Sequence, residues 1–319
     1  MLTSLGIVIV LVIAFILKIY VSNYFFDALI LFVACFASYE ASKLFIKMGK
    51  YNNTIIATIF PAFLMLILLL CIANDDTIGI VFTIVMSVAL IILFFAITFL
   101  ISIIKYKSTR IEIKARNMDK SMTVPKFSVI KALNTTVVFI YPAFLLLFLT
   151  LINHFEDMSS SFSALNGFDG WVNFFVLLFA FLIPIFTDTF AYLMGSLFGG
   201  KKLAPKISPN KTISGAVGGT VWCVILTVAV YYIFNSIPSM HTVLTGAGLA
   251  VWKLVIISFI GSIISQFGDL FESYLKRSAN VKDSGKILPG HGGILDRFDS
   301  YVFVAPYLFI AFSILFAIL

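Results

Sequence analysis

The chain has 319 residues, 61% of them hydrophobic and only 12% charged, with a net charge of +7 and a mean hydropathy of +1.08. Soluble domains carry about 25% charged and about 45 to 50% apolar residues, so this composition excludes a soluble globular domain and points to an integral membrane protein. Apolar runs of about 20 residues, enough to cross a hydrocarbon core of about 30 Å as a helix, recur from end to end, and no alternating pattern suggests a barrel. The expected fold is all-α and polytopic.

The first run, 2–22, has no basic n-region, is too long for a signal-peptide core and precedes no small-residue cleavage site, so it reads as a retained span. The second, 24–41, follows so closely that the two form a hairpin around Ser22 and Asn23; Asp27 and Glu40 near its ends read as capping or interface residues. Further spans fall at 54–73, 78–104, 128–152, 171–194, 214–236, 250–268 and 300–319, about nine in all. Cys35, Cys71 and Cys223 stand alone in apolar segments and read as packing residues. The chain divides at 127/128 into N-terminal helices with a basic loop and a C-terminal region that holds the chemistry.

The loops alternate in charge. Lys43, Lys47 and Lys50 follow the second span, whereas Asn74, Asp75, Asp76 and Thr77 follow the third. The 105–127 loop is strongly basic, and 153–170 carries Glu156, Asp157 and Asp169 without Lys or Arg. The sequence GGKKLAPKISPNKT is basic again, and of the Lys and Arg only Lys18 and Lys253 fall toward the other side. Positive charge stays inside, so the N-terminus is expected in the cytoplasm and, after an odd number of spans, the C-terminus outside. The basic charge of 42–53 and 105–127 reads as topology and attraction to anionic headgroups. His154 and His241 fall in predicted outer loops and carry no assignment.

Two spans carry polar faces. In GSIISQFGDLFESYLKR the positions Ser262, Ser265, Gln266, Asp269, Glu272, Ser273 and Lys276 recur at helical spacing. Asp188, Ala191, Tyr192 and Gly195 share a face of another helix, with Pro184 before them. Ionisable groups in a span point into a bundle or a wet cavity, so both faces are expected to meet protein or water. Each leads into a loop of unusual composition. The first loop offers Lys201, Lys202, Lys206, Ser208, Asn210, Lys211 and Thr212; the second offers Lys276, Arg277, Lys282, Asp283, Lys286, His291, Gly292, Gly293, Asp296, Arg297 and Asp299. Carboxylates that hold a hard cation, bases that neutralise phosphate and glycines that admit anionic oxygens make this a phosphate-and-metal inventory.

The stretch Ser273, Leu275, Lys276, Arg277, Lys282, Asp283, Leu288, Pro289, His291, Gly292, Gly293, Asp296, Arg297, Phe298 and Asp299 resembles the signature of phosphatidate cytidylyltransferases, also called CDP-diacylglycerol synthases. The block DTFAYLMGSLFGGKKLAPKISPNKT is similar to a second block of that family, through Asp188, Tyr192, Gly195, Ser208, Pro209, Lys211 and Thr212. Members commonly place Glu two residues after the Lys-Thr; Ser214 stands there. The resemblance implies transfer of CMP from CTP to phosphatidate, with release of pyrophosphate, dependent on Mg²⁺ alone or with a second cation. It implies substrates at the cytoplasmic face of the cell membrane among membrane lipids, and a homodimer; no nucleic-acid partner is expected. On that reading Asp269 and Asp296 ligate metal, and Lys276, Arg277 and Arg297 neutralise phosphates. Lys211, Ser208 and Thr212 complete the cavity, and Asp188 and Asp299 orient the ligands. Ser273, Lys282, Asp283, Gly292 and Gly293 belong to the site, and His291 serves as phosphate donor or loop organiser rather than base, since the phosphate nucleophile is already anionic. The alternatives are a CTP-dependent polyprenol-type lipid kinase and a transporter of a phosphorylated solute.

Overall fold

A computed structural model describes residues 23–73, 80–115, 122–158, 171–246, 248–287 and 292–317. The elements are α1 (Asn23–Lys47), α2 (Thr54–Ala73), α3 (Ile80–Ile104), α4 (Tyr106–Ala115), α5 (Val124–Val138), a π-helical turn (Phe139–Phe144) and α6 (Phe148–Asn153). There follow α7 (Trp171–Phe198), β1 (Lys202–Ala204), β2 (Ser208–Thr212), α8 (Ile213–Asn235), α9 (Pro238–Gly246), α10 (Val251–Ser278) and α11 (Leu295–Ala317). Among the described residues seven helical stretches are long and apolar enough to cross a bilayer, and α3 adds an apolar helix of 25 residues. The protein is a multi-pass, all-α membrane protein with one small hairpin. The span expected over 2–22 lies outside the described residues.

Helix ends run past the apolar boundaries read from the sequence. The run expected to end at 268 continues as α10 to Ser278, and the one expected from 300 begins as α11 at Leu295. Hydropathy marks where hydrocarbon stops, whereas backbone hydrogen bonding continues as long as residues such as Leu, Glu, Lys and Arg favour helix. Lys276 and Arg277 in the last turn of α10 also complement the negative end of its dipole. The stretch from α5 to α6 is interrupted at the π-helical turn, where Tyr141 has an extended backbone before Pro142; a proline inside a helix has no N–H to donate.

Two close helix contacts build the C-terminal half. α7 and α8 share the most extensive contact in the fold, closed at Gly219, where a Cβ would stand 2.7 Å from the Thr187 carbonyl and 2.9 Å from Ala191 Cβ. α10 meets α11 at Gly268, where a Cβ would stand 2.7 Å from the Asp299 carbonyl. α1 crosses from the N-terminal half to pack on α2, the π-helical turn and α11. Large aromatic side chains fill the centre, among them Phe94 and Phe139 with ring centroids 4.9 Å apart.

The polar face of α10 turns inward, as expected of ionisable groups in lipid, whereas Asp188 and Tyr192 on that of α7 are exposed. Ser262 and Ser265 are fully buried. Thr187 Oγ1 and Ser262 Oγ are 2.9 Å apart, Ser262 reaches Thr220 Oγ1 at 3.2 Å, and Gln266 Nε2 donates to Thr220 Oγ1 at 2.9 Å and to the Ala216 carbonyl at 3.2 Å. This network ties α7, α8 and α10 together and leads toward one end of the bundle. The hydroxyls of Thr187, Ser262 and Thr220 each find a partner in it, which offsets the cost of burying them.

Candidate active site

At that end α7, the β1–β2 hairpin, the N-terminus of α8 and α10 surround a cavity of about 570 Å³, within the size range of small-ligand sites. α7 contributes Asp188, Ala191, Tyr192 and Gly195, the face read from the sequence. The loop expected between α7 and α8 contains a hairpin with Lys202 opposite Thr212 and Ala204 opposite Ser208; strands this short show no periodicity in a sequence. From it Lys202, Ser208, Lys211 and Thr212 line the cavity, and from α10 Gln266 and Asp269 do so.

Local bonds hold the hairpin in place. Thr212 is the N-cap of α8, its hydroxyl accepting from the Gly215 N–H at 3.1 Å, and the Ile213 N–H donates to the Lys201 carbonyl at 2.9 Å. Ser214, where the family signature commonly has Glu, donates its hydroxyl to the Gly199 carbonyl and so ties the loop to the helix start. Arg277 Nε donates to the Ile207 carbonyl at 3.3 Å, which makes it a support of the hairpin. Lys211 is ion-paired with Asp269, whose other oxygen accepts from Ser273 Oγ at 3.4 Å.

A second cluster adjoins this one at the start of α11. Asp296 accepts from Lys276 Nζ at 2.7 Å, the Gly293 N–H at 2.7 Å and the Ser284 N–H at 2.9 Å, and lies 3.0 Å from Ser284 Oγ. Lys276 also pairs with Glu272, which is fully buried. Gly292 has φ +82°, and a Cβ on it would stand 2.5 Å from Asp296 Oδ2, so a glycine is needed for the loop to fold over that carboxylate. Asp299 Oδ1 accepts from the Ser300 N–H at 2.7 Å. Arg297 is half-buried in the first turn of α11, and Lys282 and Asp283 are exposed. His291 lies outside the described residues.

Asp188, Asp269 and Asp299, from three helices, stand close enough to repel one another. The two carboxylates expected to share an ion, Asp269 and Asp296, are at the same end of the bundle but are held by different lysines, and only Asp269 lines the cavity. Asp296 instead spends its oxygens on Lys276, Ser284 and Gly293. Among the described residues no three His, Cys, Asp or Glu side chains gather as a preformed metal site. A hard cation such as Mg²⁺ keeps several waters and uses one or two carboxylates beside substrate phosphates. Asp188 and Asp269, which both line the cavity, supply carboxylates that fit that demand.

Residues 3–315 match the Cytidylyltransferase family. The chain belongs to this family. It is similar to proteins named phosphatidate cytidylyltransferase from Staphylococcus saprophyticus (50% identical), Staphylococcus haemolyticus (48%) and Staphylococcus aureus (49%). Each alignment covers 132 residues, 41% of this chain and 46% of the relative, so the chain spans less than half the length of the curated relatives it matches. In this cytidylyltransferase-family protein both sequence blocks thus converge on one end of the bundle, the first around the cavity and the second beside it.

Two features escaped the sequence reading, and a third was read only as a capping or interface residue. Tyr141, buried in the π-helical turn, packs its ring 4.9 Å from that of Phe271 on α10; an aromatic in an apolar run gives no signal of such a place. His154, left unassigned, is buried between Asp27 and Asp157. Glu40 is buried against the second signature block. The signal for Glu40 was present, since an ionisable residue inside a span is costly unless it has a partner.

Proposed function

We propose that this protein transfers the cytidylyl group of CTP to phosphatidate, giving CDP-diacylglycerol and pyrophosphate. The observation that carries the reading is the cavity at one end of the bundle, where Asp188, Lys211 and Asp269 from three separate elements meet beside the N-terminus of α8. The family membership and the names of the relatives support it. A helix N-terminus with its free N–H groups favours phosphate, and Lys202 and Lys211 supply charge for a triphosphate.

In this reading Asp188 and Asp269 hold Mg²⁺. When bound, that ion neutralises phosphate charge as a Lewis acid. Lys211 and Lys202 fix the triphosphate so that its α-phosphorus faces the lipid. A phosphatidate oxygen forms the new bond to the α-phosphorus while the bond to the bridging oxygen breaks, and pyrophosphate leaves with the electron pair. The nucleophile is an anion at neutral pH, so positioning and charge stabilisation carry the rate and no side-chain base is required. Lys276, paired with Asp296 and Glu272, ties the second cluster to α10 beside the cavity, and Asp299 adds a third carboxylate near Asp188 and Asp269.

The same reading puts the cavity on the cytoplasmic side of the cell membrane, because the basic hairpin and the Lys43–Lys47–Lys50 end of α1 lie with it, and puts the protein among membrane lipids, as a homodimer. The test is purified protein with phosphatidate, Mg²⁺ and CTP labelled at the α- or the γ-phosphate. Labelled CDP-diacylglycerol and pyrophosphate are expected. Release of CDP with phosphate on the lipid, or no turnover at all, overturns the proposal.

A further inference from the structure

Glu40 lies near the end of α1, in the half of the chain that carries neither sequence block, and it is 2% exposed. Its Oε2 accepts from the Leu295 N–H at 2.8 Å, which is the first residue of α11, and lies 3.0 Å from Ser284 Oγ. The N–H of the same Ser284 donates to Asp296 at 2.9 Å, and its hydroxyl, with a single proton to give, lies 3.0 Å from both carboxylates. One carboxylate thus caps a helix 255 residues away and touches the serine that anchors its neighbour's carboxylate.

The backbone is shaped to receive it. A Cβ added at Gly285 would overlap the Glu40 carboxylate first, and one at Gly293 would overlap both Glu40 and Ser284 Oγ. Both glycines have negative φ, so space against Glu40, not backbone conformation, demands their lack of a side chain. A charged group buried this deeply is costly without partners, and two N–H or O–H groups of one loop are what meet it.

We propose that Glu40 is a positioning residue for the transfer reaction: it ties Ser284 to Leu295 so that Asp296, Lys276 and the first turn of α11 stand in register with the cavity. The inference rests on the proposed function. Among the described residues, those that Glu40 meets (Ser284, Gly285, Gly293 and Leu295) do not line the cavity, so its effect is on turnover and not on nucleotide binding. Displacing reacting groups by about 1 Å costs about a hundredfold in rate.

The test measures CTP turnover, with thermal unfolding in detergent as a folding control. In Glu40→Ala kcat should fall about tenfold to a hundredfold while KM for CTP stays within about twofold, and Glu40→Gln, which keeps an acceptor in place, should recover most of the loss. Gly285→Ala should also lower kcat, and adding Glu40→Asp, which withdraws the carboxylate by one methylene, should restore turnover above that of Gly285→Ala alone. Independent sites combine additively in free energy, so a double variant no better than the product of the two singles overturns the clamp, as does Glu40→Ala with kcat near wild type. If Glu40→Ala does not fold, the Gly285 pair decides. Amide exchange at Leu295, read without any turnover, should rise in Glu40→Ala and stay near wild type in Glu40→Gln; unchanged exchange in Glu40→Ala overturns the clamp, whereas wild-type protein that releases no pyrophosphate overturns the function and leaves the exchange result standing.

Discussion

Asp269 is where the requirements of charge and position meet. Its carboxylate is ion-paired to Lys211 on the hairpin and supported by Ser273 one turn along α10. Asp269→Asn keeps the shape and removes the charge, so kcat should drop about a hundredfold or more with little change in unfolding temperature, as read by pyrophosphate release at saturating CTP. Lys211→Ala should act earlier, raising KM for CTP about tenfold in the same assay. Asp188 and Asp269 could be read from the chain because a carboxylate in an apolar helix is conspicuous. Their different lysine partners could not. Asp296 looked like an equal of Asp269 in a list of residues, yet its oxygens are taken by Lys276, Ser284 and Gly293; which acids are free to face a ligand depends on neighbours that only the folded chain supplies.

Elements bring these residues together through close helix contacts. α7 and α8 approach at Gly219, and a methyl group there would press on the Thr187 carbonyl, directly beside Asp188. Gly219→Ala should therefore lower stability by about 1 to 3 kcal/mol and also reduce turnover, by moving Asp188 relative to Lys211; unfolding in detergent and initial rates measure the two effects. The polar stripe of α10 was legible from its spacing, and so was its inward direction. How it is shared was not: Gln266 and Asp269 serve the cavity, whereas Glu272 and Lys276 serve the start of α11. The hairpin was hidden for a different reason, since three- and five-residue strands rich in Lys and Pro carry no alternating signature.

Across the whole molecule α1 links two distant places. Glu40 holds the signature loop, and Asp27, thirteen positions earlier and about 20 Å along the helix, holds His154. That imidazole lies 2.8 Å from Asp27 Oδ2 and is also bonded to Asp157, while Asn153 donates to the other Asp27 oxygen at 3.1 Å. Burial opposes its charge, but the hydrogen bonds and negative charges of Asp157 and Asp27 prevail and push its pKa up to about 9 from an ordinary 6.5. A folded-state pKa above the unfolded one gives stability that is complete below about 6.5 and lost as pH rises through about 9. The unfolding temperature should accordingly fall between pH 7 and pH 10, and His154→Phe should flatten that slope; a slope unchanged in the variant would remove His154 as its source. What the sequence determined by itself is the membrane class, the helical spans, the polar faces and the two blocks whose residue types suit phosphate and metal, because hydropathy, periodicity and motif spacing are local properties of a chain. What only the tertiary structure decided is which acids share the cavity, which lysine answers each of them, and that a glutamate in the first half closes over a loop in the second. Those depend on contacts between residues as far as 255 positions apart, and no local pattern specifies such a contact.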